Sequence, residues 1–93
     1  MPVAAVKKRR QTKKKVYGQF IVADPEICHG QLTFLGTRIF VADVLAQVAR
    51  GMSWNMIVKA WHGSVGREAI AEALEFSRQA LLDHVDEYTA WLD

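Results

Sequence analysis

The chain has little cysteine and little proline: of its 93 residues, one is cysteine, Cys28, and two are proline. A single cysteine excludes a disulfide within the chain and fits a protein of the reducing cytoplasm. No apolar run approaches the roughly 18 residues that a membrane-spanning helix requires. The basic start of the chain is not followed by the apolar segment of a secretory signal. With 51% hydrophobic residues, the composition predicts a small cytoplasmic domain with a hydrophobic core.

Acidic residues are absent from the first 16 positions, although ten occur in the whole chain. The same stretch holds seven of the twelve Lys and Arg residues, so the remainder has five basic against ten acidic side chains. Runs of like charge repel one another and stay disordered. We therefore expect a disordered basic tail at 1–16 and a single small domain at 17–93. The tail is interpreted as a solvated leader, as an arm for nucleic-acid phosphates, or as a tether to an acidic neighbouring subunit.

Two local signals follow the tail. The sequence YGQFIV at 17–22 is rich in aromatic and β-branched residues and predicts a short strand. Asp24 before Pro25 predicts a tight turn, because proline presets φ and the Asp side chain bonds to its own backbone.

The sequence GQLTFLGTRIFV predicts a β-hairpin over 31–41. Glycine in the loop Gly36-Thr37 favours a type II′ turn, because only glycine takes the required positive φ without strain. This loop sets Thr33 opposite Phe40. Side chains alternate across a strand, so one face of the hairpin is wholly apolar and should be buried against helices. Its members are Leu32, Phe34, Ile39 and Val41.

The second face of the hairpin mixes polar with apolar side chains, and Leu35 and Phe40 are unfavourable there in water. An isolated hairpin is only marginally stable. Two chains can pair such elements across a twofold axis, so we expect a homodimer. The predicted dimer interface comprises Thr33, Leu35, Arg38 and Phe40.

Apolar residues at helical spacing predict three helices, at about 42–50, 54–61 and 67–92. Ser53 is a favourable N-cap for the second of them. A last helix of about 26 residues would be roughly 39 Å long, which exceeds the diameter of so small a body. Its far end should therefore overhang and need a cover of its own.

Four motifs occur in a recognisable order: ADPEICHG at 23–30, GTRIFV at 36–41, ARGMS at 49–53 and AIAEAL at 69–74. In combination they resemble the pattern of domain-of-unknown-function family 433. The resemblance implies a mainly α fold, in which a short strand and a β-hairpin precede a homeodomain-like three-helix (helix-turn-helix) unit with a long C-terminal helix. It also implies an antitoxin of the VapB type, encoded beside a PIN-like ribonuclease toxin.

The chain departs from the family pattern at positions around the hairpin. His29 replaces a usual glycine, Leu32 and Phe40 replace usual prolines, and Leu35 replaces a frequent arginine. These changes make the second face of the hairpin more apolar, which favours a protein partner there.

The residues that most often carry catalysis or bind metal are scattered in this chain. His29, His62 and His84 are far apart in sequence, and no Cys/His pair has the spacing of a zinc site. A Cys28 nucleophile would need an organised base, and no such base is indicated. We expect a non-enzymatic protein without catalytic residues, metal, cofactor or small-molecule substrate.

A protein partner is the leading interpretation. Aromatic residues anchor interfaces, and an amphipathic helix often lies in the groove of its partner. Following the resemblance, we expect the end of the last helix to bind a PIN-like toxin. The alternative for this end is packing within the chain against the strand at 17–22. The predicted partner-binding residues are Leu81, Val85, Tyr88, Trp91 and Leu92.

A stand-alone DNA-binding transcriptional regulator of helix-turn-helix type is the alternative function. The two helices around the Gly51-Met52-Ser53 turn have the shape that begins such a unit. The third helix is mostly acidic, however, and an acidic helix is repelled by phosphate. The predicted nucleic-acid contacts are Lys7, Lys8, Arg9, Arg10, Lys13, Lys14, Lys15, Arg67 and Arg78.

Overall fold

The computed structural model describes residues 13–92, which form a three-stranded antiparallel sheet followed by helices. The strands lie in sequence order and are β1 (Lys15–Tyr17), β2 (Ile21–Ala23) and β3 (Leu32–Phe34). The helices are α1 (Val41–Ala49), α2 (Trp54–Ala60), α3 (Arg67–Asp83) and α4 (Val85–Thr89).

The fold of these residues is mixed α+β, so the expected mainly α helix-turn-helix unit is wrong. The sheet contributes directly to the hydrophobic core. Ile21 of β2 and Phe34 of β3 belong to the same buried cluster as Ile57 and Ile70 from the helices. The core is thus built from side chains of both the sheet and the helices. In a three-helix unit the helices would form the core alone.

The segment at 17–22 is a hairpin turn and not one strand. Tyr17 pairs with Ile21 and Lys15 with Ala23, and the loop between them begins at Gly18 with φ of +73°. Lys15 and Val16, which the sequence assigned to the tail, therefore lie in β1. Residues 1–12, the rest of the predicted disordered tail, lie outside the described residues.

The predicted register at the second hairpin is confirmed, but its turn and its second arm are not. Thr33 bridges Phe40, as expected. The hydrogen-bonded turn spans 34–37, because the Phe34 carbonyl accepts from the Thr37 N–H at 2.9 Å, so the type II′ loop is wrong. The Thr37 hydroxyl accepts the Ile39 N–H at 3.0 Å. The Thr37 side chain thus occupies the Ile39 N–H, which would pair with β3 if the second arm were a longer strand. Pairing between β3 and this arm is limited to the bridge between Thr33 and Phe40.

The core lies between the sheet and the first three helices. Of the hairpin face predicted to be buried, Phe34 and Val41 are buried and Leu32 and Ile39 pack partly buried against them, which confirms this prediction. The buried core comprises Ile21, Phe34, Val41, Val44, Ile57, Val65, Ala69, Ile70 and Ala73.

The first two helices agree with the prediction to within a residue, and the third does not. Ser53 caps α2 by accepting the Met56 N–H at 3.2 Å. The single helix predicted over 67–92 is wrong, because His84 (φ −117°, ψ 19°) leaves helical geometry and separates α3 from α4. Its ring Nδ1 lies 3.1 Å from Glu87 Oε2, a local contact that accompanies the break. None of the helices within 13–92 combines the length and apolarity needed to cross a membrane.

Candidate interaction surfaces

The end of the chain exposes large apolar side chains. Trp91 is 78% exposed and Tyr88 is 60% exposed. We call this the C-terminal apolar surface, and it comprises Leu81, Val85, Tyr88, Trp91 and Leu92. Apolar side chains exposed as a group are the kind of surface on which interaction sites form.

The apolar row of α3 continues after the body of the protein has ended. Ala69, Ile70 and Ala73, in the first half of α3, are buried in the core. Beyond Ser77 the same row of the helix carries Leu81, which is exposed. The alternative, packing of this end against 17–22, is not observed, since residues 81–92 are exposed. Tyr17 packs edge-on against Phe76, with ring centroids 5.3 Å apart.

The Asp and Glu side chains near this surface give it negative charge, with no Lys or Arg beside them in the sequence. Residues 81–92 contain three carboxylates, at Asp83, Asp86 and Glu87, and no Lys or Arg. Asp83 accepts from the Gln79 amide at 2.9 Å, and Glu87 contacts His84. The C-terminal apolar surface is therefore bordered by acidic groups that are exposed to solvent.

An apolar groove of about 650 Å³ lies between β3, the start of α1 and the middle of α3. Its lining contains no Lys, Arg, Asp or Glu. The Ser77 hydroxyl, on its α3 wall, donates to the Ala73 carbonyl at 2.9 Å and is thereby satisfied. The apolar groove comprises Cys28, His29, Gln31, Leu32, Phe40, Val41, Ala42, Leu45, Phe76 and Ser77.

One rim of the apolar groove is a left-handed turn. Cys28, His29 and Gly30 have φ of 52°, 58° and 82° in succession. This region is costly for residues with a Cβ, such as Cys28 and His29. The turn is held by the Gly30 N–H on Ile27 O and the Gln31 N–H on Cys28 O, both 3.1 Å.

The Cys28 thiol faces a backbone group and not a base. Its Sγ lies 3.9 Å from the Arg38 carbonyl oxygen. Across the part of the chain that the structure describes, no three His, Cys, Asp or Glu side chains converge as metal ligands would.

A second cavity of about 660 Å³ lies on the other side of Phe76, and we call it the acidic groove. Its carboxylates have structural partners. Glu72 accepts the backbone N–H groups of Gln19 at 3.0 Å and Phe20 at 2.7 Å, and so ties the β1–β2 turn to α3. Glu75 pairs with Arg78. The acidic groove comprises Tyr17, Gly18, Glu72, Glu75, Phe76, Gln79, Ala80, Asp83 and His84.

The predicted nucleic-acid contacts are not gathered into one basic patch among the described residues. Arg67 donates to Asn55 Oδ1 at 2.9 Å and lies over the Trp54 ring. Arg78 pairs with Glu75 at 3.1 Å. It lies roughly 16 Å from Arg67 along the axis of α3. Lys13 and Lys14 are exposed, and Lys15 Nζ lies 5.1 Å from the Tyr17 ring centroid. Lys7, Lys8, Arg9 and Arg10 lie outside the described residues.

The predicted dimer residues are placed unequally. Thr33 is 0% exposed, so it is not available to a second chain, and its hydroxyl has no hydrogen-bond partner among the described residues. Leu35 is 47% exposed and Arg38 is exposed. Phe40 is partly buried and forms a wall of the apolar groove. Sequence reasoning missed this groove because its walls are brought together only by the tertiary fold.

Comparison with known families gives one match. A sequence model of the family described as "Protein of unknown function (DUF433)" matches residues 21–77, which confirms the resemblance over β2 through the middle of α3. The match ends at Ser77, before the C-terminal apolar surface. Searches of curated proteins and of solved structures found no match to the chain.

Proposed function

The chain belongs to the DUF433 family, and we propose that it is a non-enzymatic interaction protein that uses residues 81–92 to bind another protein. The observation that carries this proposal is the exposure of Trp91, Tyr88 and their apolar neighbours beyond a core that is already closed. Covering apolar surface releases about 25 cal/mol per Å², and aromatic side chains dominate the energy of interfaces. The free energy available for binding is therefore concentrated at this end.

The partner that we propose is a PIN-like ribonuclease toxin, so the protein would act as an antitoxin in the cytoplasm. An enzyme that binds RNA carries Lys and Arg for the phosphates. The carboxylates of Asp83, Asp86 and Glu87 complement such a surface, and complementary charge steers association. In this scheme the acidic, aromatic end of the antitoxin occupies or borders the basic cleft of the toxin.

Co-expression of the chain with a PIN-like ribonuclease encoded beside it tests the proposal. The full chain should co-purify with the ribonuclease and inhibit its cleavage of RNA. A chain that stops after residue 80 should do neither. Trp91→Ala should weaken binding by about 2 kcal/mol, whereas Met56→Ala, at an exposed site on α2, should bind normally. Full inhibition by the truncated chain would refute the role of residues 81–92.

A DNA-binding regulator that acts alone is the second candidate, and the exposed Lys13 and Lys14 at the start of the described chain favour it. The basic residues 7–15 would bind phosphates with weak sequence preference. Electrophoretic mobility shifts with promoter DNA should then fall steeply with salt and vanish when residues 1–14 are deleted. Shifts that survive this deletion, or no shift with the full chain, would reject it.

A further inference from the structure

We propose that, in the free protein, the C-terminal apolar surface of one chain packs into the apolar groove of a second copy, and that the exchange is reciprocal. This inference goes beyond the proposed function and does not depend on it, since it concerns the protein without any other partner. Each chain has one surface that lacks a cover and one groove that lacks an occupant. A twofold arrangement fills both in a closed dimer.

The groove and the surface are continuous along α3. Ser77, on the groove wall, and Leu81 lie four residues apart in α3, which places them in one row of that helix. Leu81 is exposed where the groove ends, and Val85 begins α4 after the break at His84. A segment of a second copy that enters the groove therefore runs beside an α3 row that ends at Leu81.

The spacing of this row sets the position of the symmetry axis. Ser77 and Val85 each lie four residues from Leu81. In the proposed dimer the twofold axis lies beside Leu81, so the segment of one chain that begins with Val85, after the break at His84, runs past Ser77 of the other. The reverse contact follows by symmetry. Leu81 then packs against its own counterpart. Tyr88 and Trp91 extend farther, toward Phe40 and Leu45 on the opposite wall.

Charge selects the apolar groove over the acidic one. The incoming segment carries Asp83, Asp86 and Glu87 without a compensating cation. The acidic groove presents Glu72, Glu75 and Asp83 and would repel it, whereas the lining of the apolar groove has no carboxylate. Like charges across an interface are unfavourable.

The area of the exchange is sufficient for a stable dimer. Tyr88 and Trp91 bury about 150–250 Å² each when fully covered. With Val85 and Leu92, and with both grooves counted, the dimer would bury on the order of 1,500 Å², within the range of stable interfaces. A third protein that binds residues 81–92 would compete with the second copy for the same side chains.

Light scattering of the full chain at micromolar concentration provides the first test. The wild-type chain should have the mass of a dimer. Leu81→Arg places two cations side by side at the axis and should raise the dimer dissociation constant at least about tenfold, or more than 1.4 kcal/mol. Leu82→Arg is the matched control, because Leu82 is also exposed but points about 100° away around the helix. A monomeric wild-type chain, or equal effects of the two variants, would overturn the proposal.

Crosslinking tests which residues of the two chains face each other in the dimer. Both chains carry Cys28→Ser, so that the introduced cysteine is the one that reacts. A Ser77→Cys chain mixed with a Val85→Cys chain should give a linked dimer with a short thiol-reactive crosslinker, and neither chain alone should. Gln79→Cys replaces Ser77→Cys in the control, since Gln79 lines the acidic groove. Equal linking of the Gln79→Cys chain to Val85→Cys would assign the segment to the wrong groove and refute the arrangement. Growth of mass beyond the dimer would refute reciprocal exchange.

Discussion

Thr33 is a buried polar residue whose hydroxyl lacks a hydrogen-bond partner among the described residues. It lies in the middle of β3, between Val22 on one side and Phe40 on the other. Burial of a hydroxyl without a partner costs free energy, whereas the backbone pairing of this residue does not depend on its side chain. Valine would keep the shape and the β-branching of threonine and remove the unsatisfied group.

Thr33→Val should raise the free energy of unfolding by about 1 kcal/mol, because it removes a buried, unpaired hydroxyl. Chemical denaturation with a fluorescence or circular dichroism readout measures this change. Thr37→Val is the control, because it removes a hydroxyl that forms hydrogen bonds. The Thr37 hydroxyl donates to Phe34 O at 2.8 Å and accepts the Ile39 N–H. This second variant should be destabilised by about 1 kcal/mol. A loss of stability in Thr33→Val would show that its hydroxyl has a partner.

Among the elements, the β1–β2 turn depends on a carboxylate from α3. Glu72 accepts the N–H groups of Gln19 and Phe20, and the approach is so close that a Cβ at Gly18 would lie 2.7 Å from Glu72 Oε1. Positive φ favours glycine at position 18, and a Cβ there would displace the Glu72 carboxylate from the turn. The turn between the two strands is therefore tied to a distant helix by one carboxylate, in addition to the pairing of β2 with β3 and the contact of Tyr17 with Phe76.

Glu72→Ala should destabilise the protein by about 1–3 kcal/mol, since hydrogen bonds to a charged acceptor are stronger than neutral ones. Glu75→Ala removes only an exposed ion pair with Arg78 and should change stability by less than about 0.5 kcal/mol. Amide hydrogen exchange locates the effect: in Glu72→Ala the protons of Gln19 and Phe20 should exchange faster than those of α2. Uniform acceleration across the chain would instead indicate global destabilisation alone.

Elements that are determined by neighbouring residues can be predicted from the sequence. Elements that depend on contacts between distant residues cannot. Helices α1 and α2 follow from apolar spacing and the Ser53 cap. The tie between Glu72 and Gly18 spans more than 50 residues, so the glycine was interpreted as part of a strand and Lys15 as part of a tail. The helix break at His84 was missed because the apolar row continues on both sides of it.

At the scale of the whole molecule, the closed core and the exposed end are separable. The sequence predicts an overhanging end, and Val85, Tyr88, Trp91 and Leu92 are exposed, although the single long helix from which the overhang was argued is wrong. The apolar groove was not predicted, since Leu32, Leu45 and Phe76 meet only in the folded chain. The predicted interface residue Thr33 is inside, because β3 is covered on both faces at this point.

A chain that stops after residue 80 should keep its fold, because residues 81–92 are exposed. We expect its free energy of unfolding to lie within about 0.5 kcal/mol of the full chain when both are monomeric in dilute solution. Ile70→Ala, at a fully buried site of α3, should lose about 2–5 kcal/mol and serves as the contrast. Loss of cooperative unfolding in the truncated chain would mean that the C-terminal end belongs to the core.

The position of β1 also determines where a protease can enter the chain. Trypsin binds its substrate as an extended segment of several residues, and the Lys15–Tyr17 strand is already engaged with β2. Lys13 and Lys14 precede that pairing and are exposed. At the start of the described chain, brief digestion should therefore cleave after Lys14 and not after Lys15, so that the new N-terminus is the first residue of the sheet.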